Sequence, residues 1–189
     1  RVRAAIEREL WCEQVGRYLR SRPRAAVDHG RPALGSAPEA TLPAAGAALG
    51  PSAGHDPVTD VSLLGLAWPF AVTDPRGERM CSTAAAVERA LALADGGILR
   101  YEGDTYAGGN SWVLAVLWLG LYHRRAGGRE RHRRCLEYAI AHQSALGLLP
   151  EQVGPDGRPA WVLPLAWSHA MLLLAAREDL ALVQDPGTR

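Results

Sequence analysis

Lysine is absent from this sequence: all 21 basic residues are arginine. We read that as a GC-rich coding bias rather than as a functional signal. With 20 acidic residues the formal net charge is only +1, so nothing in the balance of charge drives the chain toward nucleic acid or a membrane surface. No stretch approaches the roughly 20 apolar residues of a membrane span, and no signal-peptide pattern opens the chain. Cysteine is scarce as well. Cys12, Cys81 and Cys135 are odd in number, far apart and without a CxxC pair, which argues against a disulfide framework and against a zinc site. Reduced, packed thiols in the cytoplasm are the expectation, with no metal and no cofactor.

The 189 residues are 48% hydrophobic and 22% charged, enough for one packed core in a globular piece. Arg1 stands in the middle of a helical pattern where a methionine is usual, so a piece of something longer is expected. Strand signals are few. Residues 1–20, "RVRAAIERELWCEQVGRYLR", place Val2, Ile6, Leu10, Val15 and Leu19 at mostly helical intervals, and residues 1–28 read as one barrel helix. Residues 29–57 are rich in Ala, Gly and Pro without a period and read as a link or insertion. Ser82 is a candidate N-cap for a helix running to Gly96, and Ser111 for the helix of "SWVLAVLWLGLYHRR". That second helix is apolar nearly all round, as an inner helix is. "GGRERHRRCLEYAIAHQSALG" is amphipathic and "LPLAWSHAMLLLAARED" mostly apolar. Residues 58–178 thus alternate wetted and buried helices, and 179–189 form a tail. The fold expected is all-α, a two-layer helical toroid, with an ordinary bundle ranked second.

The loops leading into the inner helices are unusual. "RYEGDTYAGGNSW" and "GLLPEQVGPDGRPAWVLPLAW" gather Trp, Tyr, Arg, Asp, Glu, Asn and Gln within short spans. Flat aromatic faces suit the C–H surfaces of sugars, while carboxylates, amides and guanidinium forks suit their hydroxyls. Glu151, between Pro150 and Gln152, is an acid that is costly to bury unless something holds it.

Three motifs, "GGILRYEGDTYAGGNSWVLAVLWLGLYHR", "GLLPEQV" and "PLAWSHAMLLL", together with the preceding "DVSLLGLAWPFAVTDPR", resemble the last third of the glucoamylase family, glycoside hydrolase family 15. The resemblance covers about residues 58–176, and residues 30–57 lie outside it. It implies part of an (α/α)6 barrel and inverting hydrolysis of α-glucosides. By position, Glu151 matches the family's general base. Arg100 matches the arginine that binds the terminal glucose, and Asp104 a carboxylate ordering its loop. Tyr106 and Trp112 match pocket aromatics, Trp167 a tryptophan beneath the base, and Gln152 a neighbour orienting the base loop.

Other motifs receive plainer readings. Trp118 is core. Ser168 and His169 invite a serine–histidine nucleophile, but adjacent helical side chains do not face each other. "GGNS" lacks the lysine and strand of a phosphate loop, and "HRRAGGRERHRR" is a solvated corner. In "LWCEQV", Glu13 mimics the family's acid motif, in which the glutamate directly follows Leu-Trp; here Cys12 intervenes, and Glu13 reads as a decoy. The acid and the earlier hairpins are then expected upstream of Arg1, and the isolated chain is expected to be inactive. Two classes stay open at this point: part of an inverting glucoside hydrolase acting on an α-glucan or α-glucoside, or a non-catalytic relic or carbohydrate-binding helical module that lacks the general acid.

Overall fold

Helix α3 (Val113–Ala126) is the hub, because its sequence offers almost no polar face. Ten of its residues, from Val113 to His123, are buried. In the computed structural model, which describes residues 1–21, 56 and 58–180, α3 is covered by α4 (Arg129–Ala141), α5 (Ala166–Leu180) and a short 3-10 helix at Val61–Leu66. α2 (Glu78–Leu91) packs on that 3-10 helix and contributes Met80, Ala84, Val87 and Leu91 to the core. Most of the expected link at 29–57, residues 22–28 of the first expected helix and residues 181–189 of the tail lie outside the described residues.

The α3–α4 turn explains their antiparallel pairing. Gly127 adopts a left-handed φ of 93°, and its N–H returns to the Arg124 carbonyl, a glycine-terminated helix end that L side chains resist. Gly120 then sets the spacing: a Cβ there would lie 2.8 Å from the Cys135 Cβ. The buried His132 ring nitrogen Nδ1 lies 3.0 Å from the Gly120 carbonyl. The outer face of α4 is laced by Glu130–Arg133, Glu130–Arg134 and Arg133–Glu137 pairs, as a solvated arginine-rich corner would be. α5 buries Ser168, Met171 and Ala175 but leaves Trp167, Leu173 and Leu174 exposed. It is an apolar helix covered on one side only among the described residues. Trp118, expected in the core, is partly buried against it and donates its indole N–H to the Trp68 carbonyl.

Four helices after residue 77 match the expected helix count, but four expected boundaries along the chain differ. The opening stretch is not one helix. α1 spans only Val2–Glu9, and β1 (Trp11–Cys12) then pairs antiparallel with β2 (Arg17–Tyr18). Gly16, at φ 60°, takes the left-handed conformation that closes the hairpin, and Trp11 meets Tyr18 edge-on at 5.3 Å. Ser82 is not an N-cap. It lies inside α2 and donates to the Gly16 carbonyl at 2.6 Å, while Asp74 organises the true start through Arg76 N–H and Gly77 N–H. α2 also ends at Leu91, before Gly96, because Ala92 bridges to Ile98. Ser111, the other expected cap, stands in β3 (Ser111–Trp112). β3 pairs antiparallel with β4 (Gln152–Val153), and β4 with β5 (Pro159–Ala160). Its hydroxyl is used on Tyr138. In each case a tertiary partner outcompetes the local capping preference.

Gly120→Ala is expected to destabilise the chain by about 1–3 kcal/mol through overpacking against Cys135. Urea unfolding should show a lower midpoint with an unchanged slope; an unaltered midpoint would mean that α3 and α4 do not approach at this point.

Candidate active site

The small sheet brings the two polar, aromatic loops to one end of the helices. Its register sets Trp112 opposite Gln152; just beyond the strands, Val113 N–H donates to the Glu151 carbonyl at 3.2 Å and Glu151 N–H donates to the Val162 carbonyl at 2.9 Å. Trp112 N–H in turn donates to the Ile98 carbonyl, which ties in the segment carrying Arg100.

Arg100 is the centre of the first loop. Its Nε and Nη2 donate to the two carboxylate oxygens of Asp104, both at 3.2 Å, a bidentate pair that fixes the guanidinium plane. Asp104 is buried and also accepts the Tyr106 backbone N–H at 2.9 Å. The guanidinium carbon lies 4.5 Å from the ring centroid of Trp112, 4.8 Å from that of Tyr101 and 5.1 Å from that of Tyr106, within cation–π range of all three. The cage holds the charge in place and leaves guanidinium N–H groups beyond those that Asp104 takes.

Glu151 stands beside this cage. Burial pushes its carboxyl above the ordinary 4.5, and the positive charge of Arg100 partly opposes the rise. Its Oε2 is buried without a hydrogen-bond partner among the described residues, and the same is true of Trp112 Nε1 and Gln152 Nε2. Gln152 is wholly buried, and its Oε1 accepts from Asn110 Nδ2 at 3.1 Å, so its amide is turned with the nitrogen free. A buried polar atom without a partner is costly; four others, Trp11 Nε1, Thr73 Oγ1, Arg124 Nε and His132 Nε2, lie elsewhere among the described residues.

Of the residues singled out in the sequence, Arg100, Asp104, Tyr106 and Trp112 form one cluster, with Glu151 and Gln152 joined to it through the sheet. Trp167 is not joined to them: it is 59% exposed on the first turn of α5, with no hydrogen bond or ring contact among the described residues. Two residues escaped the sequence reading. Asn110 orients Gln152; its signal was its place in "GGNSW". Trp161 is 62% exposed, has a φ of 61°, donates its indole N–H to the Tyr106 hydroxyl at 3.0 Å and meets that ring edge-on at 5.9 Å. A bulky residue held in left-handed backbone is rare and points to a role for its exposed face.

Ser168 is buried and donates to the Pro150 carbonyl at 2.8 Å, so it is no nucleophile. Glu13 sits in the β1–β2 turn near Arg79, 3.7 Å away. No group of three His, Cys, Asp or Glu among the described residues could hold a metal ion. Two clefts lie elsewhere and do not include Glu151: one of about 550 Å³ against Arg3, Trp68 and Asp74, and one of about 670 Å³ against Glu88, His123 and Tyr138.

No family model matches the chain. An uncharacterised glycosyl hydrolase of Methanocaldococcus jannaschii is 38% identical over 138 residues, 66% of this chain and 22% of that protein. Isomaltose glucohydrolase of Kribbella flavida is 35% identical over 131 residues, 63% of this chain and 34% of the relative. A solved glycosidase superposes with a TM-score of 0.59 at 33% identity, over 67% of this chain and 38% of the other. A bacterial glucoamylase complexed with acarbose superposes with a TM-score of 0.56 at 24% identity, over 67% and 21%. The chain therefore spans about a fifth to a third of its curated relatives. It folds as an incomplete part of an (α/α)6 toroid.

The raised carboxyl of Glu151 carries a stability consequence. The native state keeps this proton at pH values where the unfolded chain has released it. Stability therefore falls as pH rises from the ordinary carboxylate value through the raised one, and the cost persists above. Glu151→Gln removes the charge, so the variant is expected to be more stable than the parent at neutral pH, with the difference closing toward about pH 4. Urea unfolding at both pH values checks this; a Gln variant less stable at neutral pH would mean that attraction to Arg100 outweighs burial.

Proposed function

The chain belongs to the glucoamylase-like glycoside hydrolases, family 15, and on that premise we propose that it is the C-terminal part of an inverting catalytic domain in which Glu151 is the general base. The observation that carries this reading is the buried, unpartnered Oε2 of Glu151 beside the caged Arg100. Glu151 as carboxylate would take a proton from water, whose oxygen then attacks the anomeric carbon. A separate carboxylic acid protonates the leaving oxygen on the other face, with the two groups about 6.5–9.5 Å apart. A carboxylate with a raised pKa is the stronger base once ionised. Arg100 offers its remaining N–H groups to sugar hydroxyls with Asp104 holding it in position, Tyr106 and Trp161 offer exposed ring surface, and the buried Trp112 offers its unpartnered indole N–H. Trp167 would join them only if substrate reaches the first turn of α5.

Glu13 is a poor candidate for the acid. It lies by Arg79 at the start of α2, whereas the other end of α2, at Leu91, adjoins the segment of Ile98 and Arg100. Twelve helical residues separate those ends by about 18 Å, well beyond the acid-to-base spacing. We assign the acid to the portion of these enzymes that the match leaves uncovered. Residues 58–178 supply the hairpins of the base side, with 29–57 a link or insertion before them. The substrate is an α-glucan or α-glucoside, with isomaltose, maltose and trehalose the ones to test. Three free thiols suit the cytoplasm, and among the described residues no helix is long and apolar enough to cross a membrane.

The test joins this chain to the uncovered portion of the Kribbella isomaltose glucohydrolase and follows glucose release from the three disaccharides, with the anomer of the product read by NMR. The joined protein is expected to release the inverted anomer, the 189-residue chain alone to release nothing, and Glu151→Gln to lower kcat by about 10²–10⁴-fold. Activity indifferent to that substitution would remove Glu151 from the base role. Turnover by the chain alone that the substitution abolishes would put the acid within this chain.

A further inference from the structure

Ser168 and His169 are poor partners for each other and good ones for the loop below them. α5 starts at Ala166, so both sit in its first turn. Ser168 Oγ donates to the Pro150 carbonyl at 2.8 Å. His169 Nε2 lies 3.1 Å from the Leu149 backbone nitrogen, and its Nδ1 lies 2.9 Å from the Leu165 carbonyl. An amide N–H can only donate and a carbonyl can only accept, so Nε2 must be bare and Nδ1 protonated: a neutral ring in a single tautomer.

We propose that Ser168 and His169 are positioning residues that clamp the Leu149–Pro150–Glu151 backbone and so aim the Glu151 carboxylate. The catalytic consequence rests on the reading of Glu151 as the base; the clamp itself does not. Every backbone polar group of the three residues is taken. Leu149 N–H goes to His169 and its carbonyl accepts from Leu165 N–H at 3.0 Å. Pro150 has no N–H to satisfy, and its carbonyl is held by Ser168. Glu151 N–H and carbonyl go to Val162 and Val113. Two of these five bonds come from side chains of adjacent residues on one rigid helix turn, which transfers the position of α5 directly to the loop. A side chain aimed within a fraction of an ångström needs such a supporting layer.

Nuclear magnetic resonance on the uniformly labelled 189-residue chain tests the proposal without turnover, so failure of the clamp and failure of the base reading show separately. In the unsubstituted protein the His169 ring is expected to show a protonated Nδ1 and a bare Nε2. His169→Ala is expected to speed exchange of the Leu149 amide at least about tenfold and to shift the Glu151 carboxyl ¹³C resonance, while core amides such as Leu117 keep their protection. His169→Gln, whose Oε1 can accept the same N–H, should restore part of both. Ser168→Ala should move the Glu151 resonance in the same way. An Nε2-protonated ring in the unsubstituted chain overturns the clamp whatever the variants do. So does a His169→Ala protein with unchanged Leu149 exchange, or one in which Glu151 is unmoved.

Discussion

The antiparallel pairing of Ser111–Trp112 with Gln152–Val153 is the constraint on which the rest of the site depends. Two residues a strand make the smallest of sheets, yet without it the two polar, aromatic loops would be separate excursions from separate helices. The pairing sets the buried indole of Trp112 against the buried amide of Gln152, and one residue on it fixes the Glu151 carbonyl to Val113 N–H. A slip of one residue would turn Trp112 and Gln152 to the opposite face. The ladder survives because both ends run into rigid elements: α3 begins at Val113, directly after β3, and the Glu151 side is held by the first turn of α5.

On that frame two opposing electrostatic demands are met side by side. Arg100 must stay put without being neutralised, and its bidentate pair with Asp104 plus three aromatic faces does this while keeping part of the guanidinium available. Glu151 must stay unpaired without leaving the site, and backbone bonds on either side of it hold the residue while its carboxylate is left short of partners. The same shortage lifts its affinity for protons. If Glu151 is the base we propose, stability is traded for reactivity here, as at many active sites.

α3 was legible as a buried helix because it has no polar face to misread, whereas α5, equally apolar in sequence, leaves Trp167, Leu173 and Leu174 exposed among the described residues. The loop residues were legible because Arg, Trp, Tyr and Glu are concentrated in two short spans. What was not legible was partner choice. Ser82 and Ser111 both look like helix caps, and each instead bonds to a distant segment, Gly16 and Tyr138. Leu10, Val15 and Leu19 mimic a helical stripe, but Trp11 and Tyr18 find each other across a turn at Gly16. Trp161 and His169 carry no local mark of their roles. Their value comes from Tyr106 and Leu149, which the chain brings to them only on folding.

Six tryptophans spread through the molecule allow the central claim, that the sugar binds where the loops of Arg100 and Glu151 meet, to be read directly. Their indole N–H resonances in the labelled chain can be followed during titration with glucose and isomaltose. Trp112 and Trp161 should shift with the sugar, while Trp11 and Trp118 should remain still. Shifts confined to Trp11 or Trp68, or no shift at any indole at saturating sugar, would contradict it.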